Sequence, residues 1–310
     1  MEALEGQRIL ITGATGLLGA PLTTYLAQSN EVHALARFSD PRVRDELESA
    51  GAHLIPIDLR SVDRSHIPEG LDYVIHAGAV LPSKGAEHSR SDTFEINVQA
   101  TGRLMRLTPD VKGFVYCSSG SVYAYQGQRP MREDDPYGLH NNIPTYAASK
   151  IAAESLVEFL SRDQGTPTTI IRIFTVYGPT GGTVTSRIDL VAEGKEIALF
   201  PGGPNQQTPM YVDDAVELAE RAAMLATVPP LVVNFAGSET ASVQEYTKMG
   251  ADILGVDVTY RESDTAYYPI WADVEKMHAT LGHCRVGVAE GVRRIIEQRA
   301  LRQTTSNIPG

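Results

Sequence analysis

The chain has 310 residues, 42% hydrophobic and 21% charged, a composition that supports a sizeable globular core. Its net charge of -11 disfavours a nucleic-acid surface, which needs clustered Lys and Arg, although one local arginine can still meet a substrate phosphate. Cys117 and Cys284, the two cysteines, make no disulfide framework; no apolar run approaches the ~20 residues of a membrane span and no apolar signal region precedes the first strand, so the expected location is the cytoplasm, with no membrane or nucleic-acid partner.

Short apolar runs alternate with helical spacing along the chain. Arg8 to Thr12 reads as a buried strand and Ala20 to Gln28 as a helix. Val32 to Ala36, Leu54 to Ile57, Tyr73 to His76, Phe114 to Ser118 and Thr168 to Phe174 repeat the strand type, with helices predicted over Asp92 to Leu107 and Tyr146 to Ser161. Leu231 to Phe235 is one more strand, after a helix-like Asp213 to Leu225. This alternation predicts an α/β fold, a Rossmann-type doubly wound parallel sheet. Ala124 to Pro144 and Gly178 to Pro209 are rich in turn residues and read as long loops, the second around a short helical stretch at Ser186 to Glu193. The expected division is a dinucleotide-binding domain over 1–175 that also receives 210–236. A smaller C-terminal substrate-binding lobe is expected from 176–209 and 237–302, with a flexible tail over 303–310.

Thr12-Gly13-Ala14-Thr15-Gly16-Leu17-Leu18-Gly19 follows a strand and opens a helix. Gly13 permits a tight turn, Gly16 lets backbone approach a pyrophosphate and Gly19 lets the helix pack closely, while the helix start supplies N–H donors. Arg37 stands at the end of the second strand, 18 residues past Gly19. An acidic residue there would accept the ribose hydroxyls of NAD; Arg suits a 2′-phosphate, so NADP is favoured over NAD, unless Arg37 is merely solvated. Asp58 after the third strand is either an acceptor for the adenine amino group or an exposed turn carboxylate.

Tyr146 and Lys150, four apart at a predicted helix start, share one helix face. An ammonium beside a phenol is expected to lower the Tyr pKa and fit it to exchange a proton while hydride moves at carbon. Upstream, Tyr116-Cys117-Ser118-Ser119-Gly120-Ser121-Val122-Tyr123 ends a strand, where ligands bind in parallel sheets. His76 is expected to pack rather than react, and Asp213 and Asp214 to cap a helix. The cysteines lack zinc-ligand spacing, so no metal is expected.

Taken together, these motifs resemble the extended short-chain dehydrogenase/reductase family, the NAD(P)-dependent epimerase/dehydratase group. The resemblance runs from about Arg8 to Ile296. It rests on Thr12 to Gly19, His76-Ala77-Gly78-Ala79, Asn97-Val98-Gln99-Ala100-Thr101, Ser118 to Tyr123, Tyr146 to Lys150, Arg172 to Pro179 and Tyr211-Val212-Asp213-Asp214. It implies a catalytic triad of Ser119, Tyr146 and Lys150, with Lys150 also on the nicotinamide ribose. It implies cofactor contacts at Gly13, Thr15, Gly16, Leu17, Leu18, Gly19, Leu59, Ala77, Gly78, Ala79 and Ile173, beside Arg37 and Asp58. Asn97 would brace the nearby helix, and the helices around Asn97 and Tyr146 would pair two chains into a four-helix-bundle homodimer.

The 4,6-dehydratases of the family carry Asp-Glu where this chain has Gly120-Ser121, which disfavours dehydration. An epimerase or a simple oxidoreductase remains. Arg261 resembles the family's C-terminal diphosphate-binding arginine, but Gln207 replaces a second one, and Gln cannot clamp phosphate bidentately. Arg187 is a candidate to compensate; Ser121 and Thr175 are further candidate substrate contacts. Three readings follow: an oxidoreductase or epimerase of a nucleotide-linked sugar, an NADPH-dependent reductase of a non-nucleotide ketone or aldehyde, and a non-catalytic NADP-sensing regulator.

Overall fold

The computed structural model describes residues 3–81 and 90–306. Strands β1 (Arg8–Thr12), β2 (Glu31–Ala36), β3 (His53–Pro56), β4 (Tyr73–His76), β5 (Gly113–Ser119) and β6 (Thr168–Ile173) join Leu231–Phe235 in a seven-stranded sheet. Its order is Leu231–Phe235, β6, β5, β4, β1, β2, β3, and every pairing is parallel. The chain runs outward from β1 to β3, then crosses back to set β4 on the other side of β1. That reversal opens a crevice beyond the carboxyl ends of β1 and β4, where ligands bind in such sheets.

Alternation of side chains along each strand builds a core on both faces. Ile9 and Ile11 of β1 meet Ile75, Val115, Ile171 and Val233 under helices α1 (Gly19–Leu26) and α7 (Val212–Met224). Leu10 points the other way, with Val74, Phe114 and Ile170, under α4 (Ala100–Leu107) and α5 (Pro144–Gln164). Proline in the first turn of α5 and left-handed Gly165 at its end mark its limits, wider than the spacing predicts.

The helix expected over Asp92 to Leu107 is interrupted: α3 (Arg90–Phe94) passes through a π turn, Glu95–Gln99, into α4. Such bulges occur at functional sites, and this one carries Asn97.

A third core lies in the C-terminal lobe, where Tyr177, Val184, Ile188, Tyr211, Val243, Tyr246, Val288 and Val292 pack together. Its helices are α6 (Thr183–Ala192), α8 (Val243–Leu254) and α10 (Val288–Ser306); α2 (Pro41–Ser49) links β2 to β3, and α9 (Glu275–Thr280) precedes α10. The expected Gly178 to Pro209 loop is more ordered than its composition implies. Thr175–Gly178 pairs with Pro209–Tyr211, Ile197–Leu199 with Tyr260–Glu262, and Gln206–Gln207 with Ala241–Ser242. Helix α10 runs to Ser306, into the segment expected as a tail, of which 307–310 lies outside the described residues.

Asp213 and Asp214 do not cap α7, whose first turn contains them without a side-chain cap. Buried Asp214 instead accepts the backbone N–H groups of Arg285 (2.8 Å) and Val286 (2.9 Å), tying the approach to α10 onto α7.

Candidate active site

Gly13 has φ +67°, and a Cβ there would lie 2.6 Å from the Gly78 backbone, so glycine is needed for both conformation and space. A Cβ on Gly19 would stand 2.1 Å from the Gly13 carbonyl oxygen. The close approach at Gly19 is therefore to the turn itself. The turn closes with Gly16 N–H donating to Gly13 O (2.9 Å).

An open cavity sits over this crevice. It is lined by Gly13, Thr15 and Gly16, by Arg37 and Asp58 beyond β2 and β3, and by Leu59, Ala77, Gly78 and Ala79. Leu35, Ala36, Ile57, Val80 and Ile96 complete the lining; sequence motifs had not singled them out. A groove beside it is bounded by Leu17, Arg42, Pro179 and Arg299. Leu18 is buried against α1 and Ile173 is half-buried at the end of β6; neither lines the cavity. Arg37 is exposed at the cavity's edge. The carboxylate of Asp58 accepts from Arg60 N (2.9 Å), Nε (3.0 Å) and Nη2 (3.0 Å), so it caps a short turn while bordering the cavity.

His76, fully buried, lies between Thr12 Oγ1 (2.5 Å) and Thr101 Oγ1 (2.8 Å), and burial pulls its pKa to about 3. It is a neutral packing residue. Asn97 bridges two segments: its Oδ1 accepts Val80 N–H (2.8 Å), and its Nδ2 donates to Val80 O (2.9 Å) and Ser149 Oγ (3.0 Å). It thus fastens the chain after β4 to the helix that carries Tyr146.

Ser119, Tyr146 and Lys150 converge where β5 meets α5. Ser121 Oγ donates to Ser119 Oγ (3.0 Å), and Ser119 lies near enough to the Tyr146 phenol to favour its ionised form. Lys150 Nζ donates to Cys117 O (2.7 Å) and lies 4.9 Å from the Tyr116 ring centre and 5.7 Å from that of Tyr146. The phenol is raised, not lowered as the Tyr146–Lys150 spacing predicts. Burial pushes Tyr146 up to about 12 against the lowering influence of nearby Ser119, while burial pulls Lys150 down to about 8. Helical spacing shows that the two share a face; it does not show how dry that face is.

Gly120 faces Phe174, whose ring would lie 2.8 Å from a Cβ at 120. A carboxylate side chain there would have to displace that ring.

Thr175 is buried at the start of a lobe strand, in register with Pro209. Arg187 donates to Gln207 Oε1 (3.1 Å) and to the Tyr246 hydroxyl, so its guanidinium and Gln207 form one cluster. Arg261 is not brought to the cavity; it is exposed on its strand and pairs with Glu196 at 3.5 Å. An aromatic group missed by sequence reading joins the loop after β5 to the lobe: Tyr125 stacks on Tyr268 at 4.7 Å, and Phe200 meets Tyr268 edge-on at 4.9 Å. Among the described residues no helix is long and apolar enough to cross a membrane.

The family model for the NAD dependent epimerase/dehydratase family matches residues 9–236. The chain is 29% identical over 252 residues to a UDP-N-acetyl-alpha-D-glucosaminuronate decarboxylase of Bacillus cytotoxicus, covering 77% of this chain and 78% of that one. Among solved structures, MoeE5 in complex with UDP-glucose and NAD superposes with a TM-score of 0.81 at 27% identity, over 95% of this chain and 99% of that one. A UDP-glucuronic acid 4-epimerase of Bacillus cereus, in complex with UDP-glucuronic acid and NAD, has the same fold, with a TM-score of 0.81 at 23% identity over 94% and 99%.

Proposed function

This chain belongs to the NAD dependent epimerase/dehydratase family, and on that premise we propose that it is an NADP-preferring oxidoreductase or epimerase acting at a carbinol or carbonyl carbon of a nucleotide-linked sugar. The observation that carries this reading is the convergence of Ser119, Tyr146 and Lys150 where β5 meets α5, with Ser121 Oγ donating to Ser119 Oγ (3.0 Å) and Lys150 one helical turn beyond Tyr146.

The residues around the crevice fit a dinucleotide. Gly13 and Gly78 leave a cradle that a Cβ would fill, and the cavity beside it is bordered by Arg37 and Asp58. Gly13, Thr15, Gly16 and Leu17 would hold the pyrophosphate, with Leu18 and Gly19 placing the helix start behind it. Arg37 would meet a 2′-phosphate through charge and its planar donor fork, which favours NADP. Asp58, Leu59 and Ala77 to Ala79 would flank the adenosine and ring portions, Ile173 would pack nearby, and Lys150 would bind the nicotinamide ribose. When bound, the nicotinamide supplies or accepts the hydride.

The protein's own groups handle the proton. With its pKa held at about 12, the Tyr146 hydroxyl stays protonated at neutral pH and is set to donate to a carbonyl oxygen. Ser119 holds that oxygen beside the phenol. In the opposite direction the phenolate left by that donation takes the carbinol proton back. The Lys150 ammonium adds positive charge within 6 Å of the ring, which favours the phenolate that donation to the carbonyl leaves.

Arg187, Thr175 and Ser121 are the substrate contacts in this reading, with Arg187 oriented by Gln207 and Tyr246 toward the diphosphate and Arg261 left out, paired with Glu196. The neutral Gln207 favours a second reading, an NADPH-dependent reductase of a non-nucleotide ketone or aldehyde. Incubating the purified protein with NAD(H) or NADP(H) and a panel of UDP- and dTDP-sugars, beside simple ketones, separates the two. Turnover or epimerisation of a nucleotide sugar supports the first, and NADPH loss with ketones alone supports the second.

The exposed Phe94, Leu139 and Phe159 lie on or beside α3 and α5 and suit a homodimer formed by those helices. Two free cysteines fit the cytoplasm.

A further inference from the structure

Three successive residues of β5 each meet one group on three successive turns of α5. Cys117 O accepts from Lys150 Nζ, Ser118 Oγ donates to Glu154, and Ser119 lies beside the Tyr146 phenol. The middle clasp leads into a buried network. Glu154 accepts from Arg172 Nη2 (2.8 Å) and Nε (3.1 Å) and from Tyr137 OH (2.8 Å). Arg172, on β6, also donates to Tyr123 OH (2.8 Å) and Glu133 O (2.9 Å), and Tyr123 donates to Asn234 Oδ1 (2.6 Å). Glu154 and Arg172 are 2% and 4% exposed, so neither charge is satisfied by solvent.

We propose that Glu154 is a positioning residue for the Tyr146–Lys150 pair: through Ser118 and Arg172 it sets the register of α5 against β5 and β6, and its carboxylate supports the charge on Lys150. The proposal rests on the functional reading above. A buried carboxylate pinned from two strands cannot slide, so the two reactive groups one and two turns before it on α5 cannot slide either. Lys150 faces Tyr116 and Cys117 of β5, His76 of β4, and Tyr146 and Glu154 of its own helix. Of these, Glu154 is the one carboxylate, and with Cys117 it counters the burial that pulls the ammonium down.

The test titrates [15N]-lysine-labelled full-length protein by NMR, with the Lys150 resonance assigned by Lys150→Met. In Glu154→Gln the Lys150 midpoint falls by about one pH unit; an unchanged or raised midpoint overturns the proposal. Should that variant not fold, Ser118→Ala decides, since it leaves the Glu154–Arg172 pair intact. Its expected result is a kcat about tenfold lower with KM and NADPH affinity within about twofold, restored by Ser118→Thr; an unaffected kcat overturns the proposal. The lysine titration needs neither substrate nor turnover, so its failure is distinct from failure of the functional reading.

Discussion

Lys150 Nζ lies 2.7 Å from the carbonyl oxygen of Cys117, so the ammonium is anchored to the strand rather than to the phenol four residues before it. That carbonyl orients the lysine while burial brings its pKa to about 8. The unfolded chain holds this proton up to about 10.4. Between these values the unfolded state binds more protons, so the Lys150 contribution makes stability rise with pH from about 8 to about 10.4. Chemical denaturation of wild type and Lys150→Met across that window should show a rise present only in wild type. Turnover that needs the ammonium should decline above about pH 8; a flat profile to pH 10 would contradict that need.

Tyr146→Phe removes the only proposed proton donor and leaves the cavity untouched. The expected result is a kcat lower by about 10²–10⁴, with stability changed by no more than about 1.5 kcal/mol and NADPH binding retained. Steady-state kinetics beside fluorescence titration checks this.

Arg37→Glu places a like charge where a 2′-phosphate is expected. NADPH affinity should fall by about 2 kcal/mol, roughly thirtyfold, and NADH affinity should hold or improve. Calorimetric titration of both cofactors reads the ratio, and an unaltered ratio removes Arg37 from the site.

Gly13→Ala meets two penalties, a left-handed backbone and a Cβ 2.6 Å from Gly78. The expected cost is about 2 kcal/mol in unfolding free energy, together with loss of measurable cofactor binding. Gly127→Ala, at φ +73° with open space around it, carries the backbone strain without the clash and should leave cofactor binding intact.

Phe159→Glu puts a charge on the exposed face of α5. If two chains pair through that face, sedimentation velocity should show a dimer for wild type and a monomer for the variant. A wild-type monomer at micromolar concentration would dismiss the pairing.

Much of the frame was legible in the residues. Ile9 to Ile11 and Val74 to Ile75 are apolar because both sheet faces are covered, and such runs announce parallel strands. The lobe's helices were less visible, although Ser242 and Glu245 form a capping box whose spacing marks the start of α8. The interruption at Asn97 was not legible, since a π turn changes the hydrogen-bond ladder without changing the apolar spacing. Nor was the pairing of Glu154 with Arg172, which exists only because α5 lies across β5 and β6.

The amino-acid order alone determined the strand-turn-helix of Thr12 to Gly19, the alternation that makes a doubly wound sheet, and the shared face of Tyr146 and Lys150. These depend on local backbone geometry, which neighbouring residues dictate. Folding in three dimensions decided which group anchors Lys150, which way the Tyr146 pKa moves, and that Asp214 ties a loop instead of capping a helix. Those outcomes depend on burial and on partners brought from distant segments, and no local spacing encodes how much water a packed interface excludes.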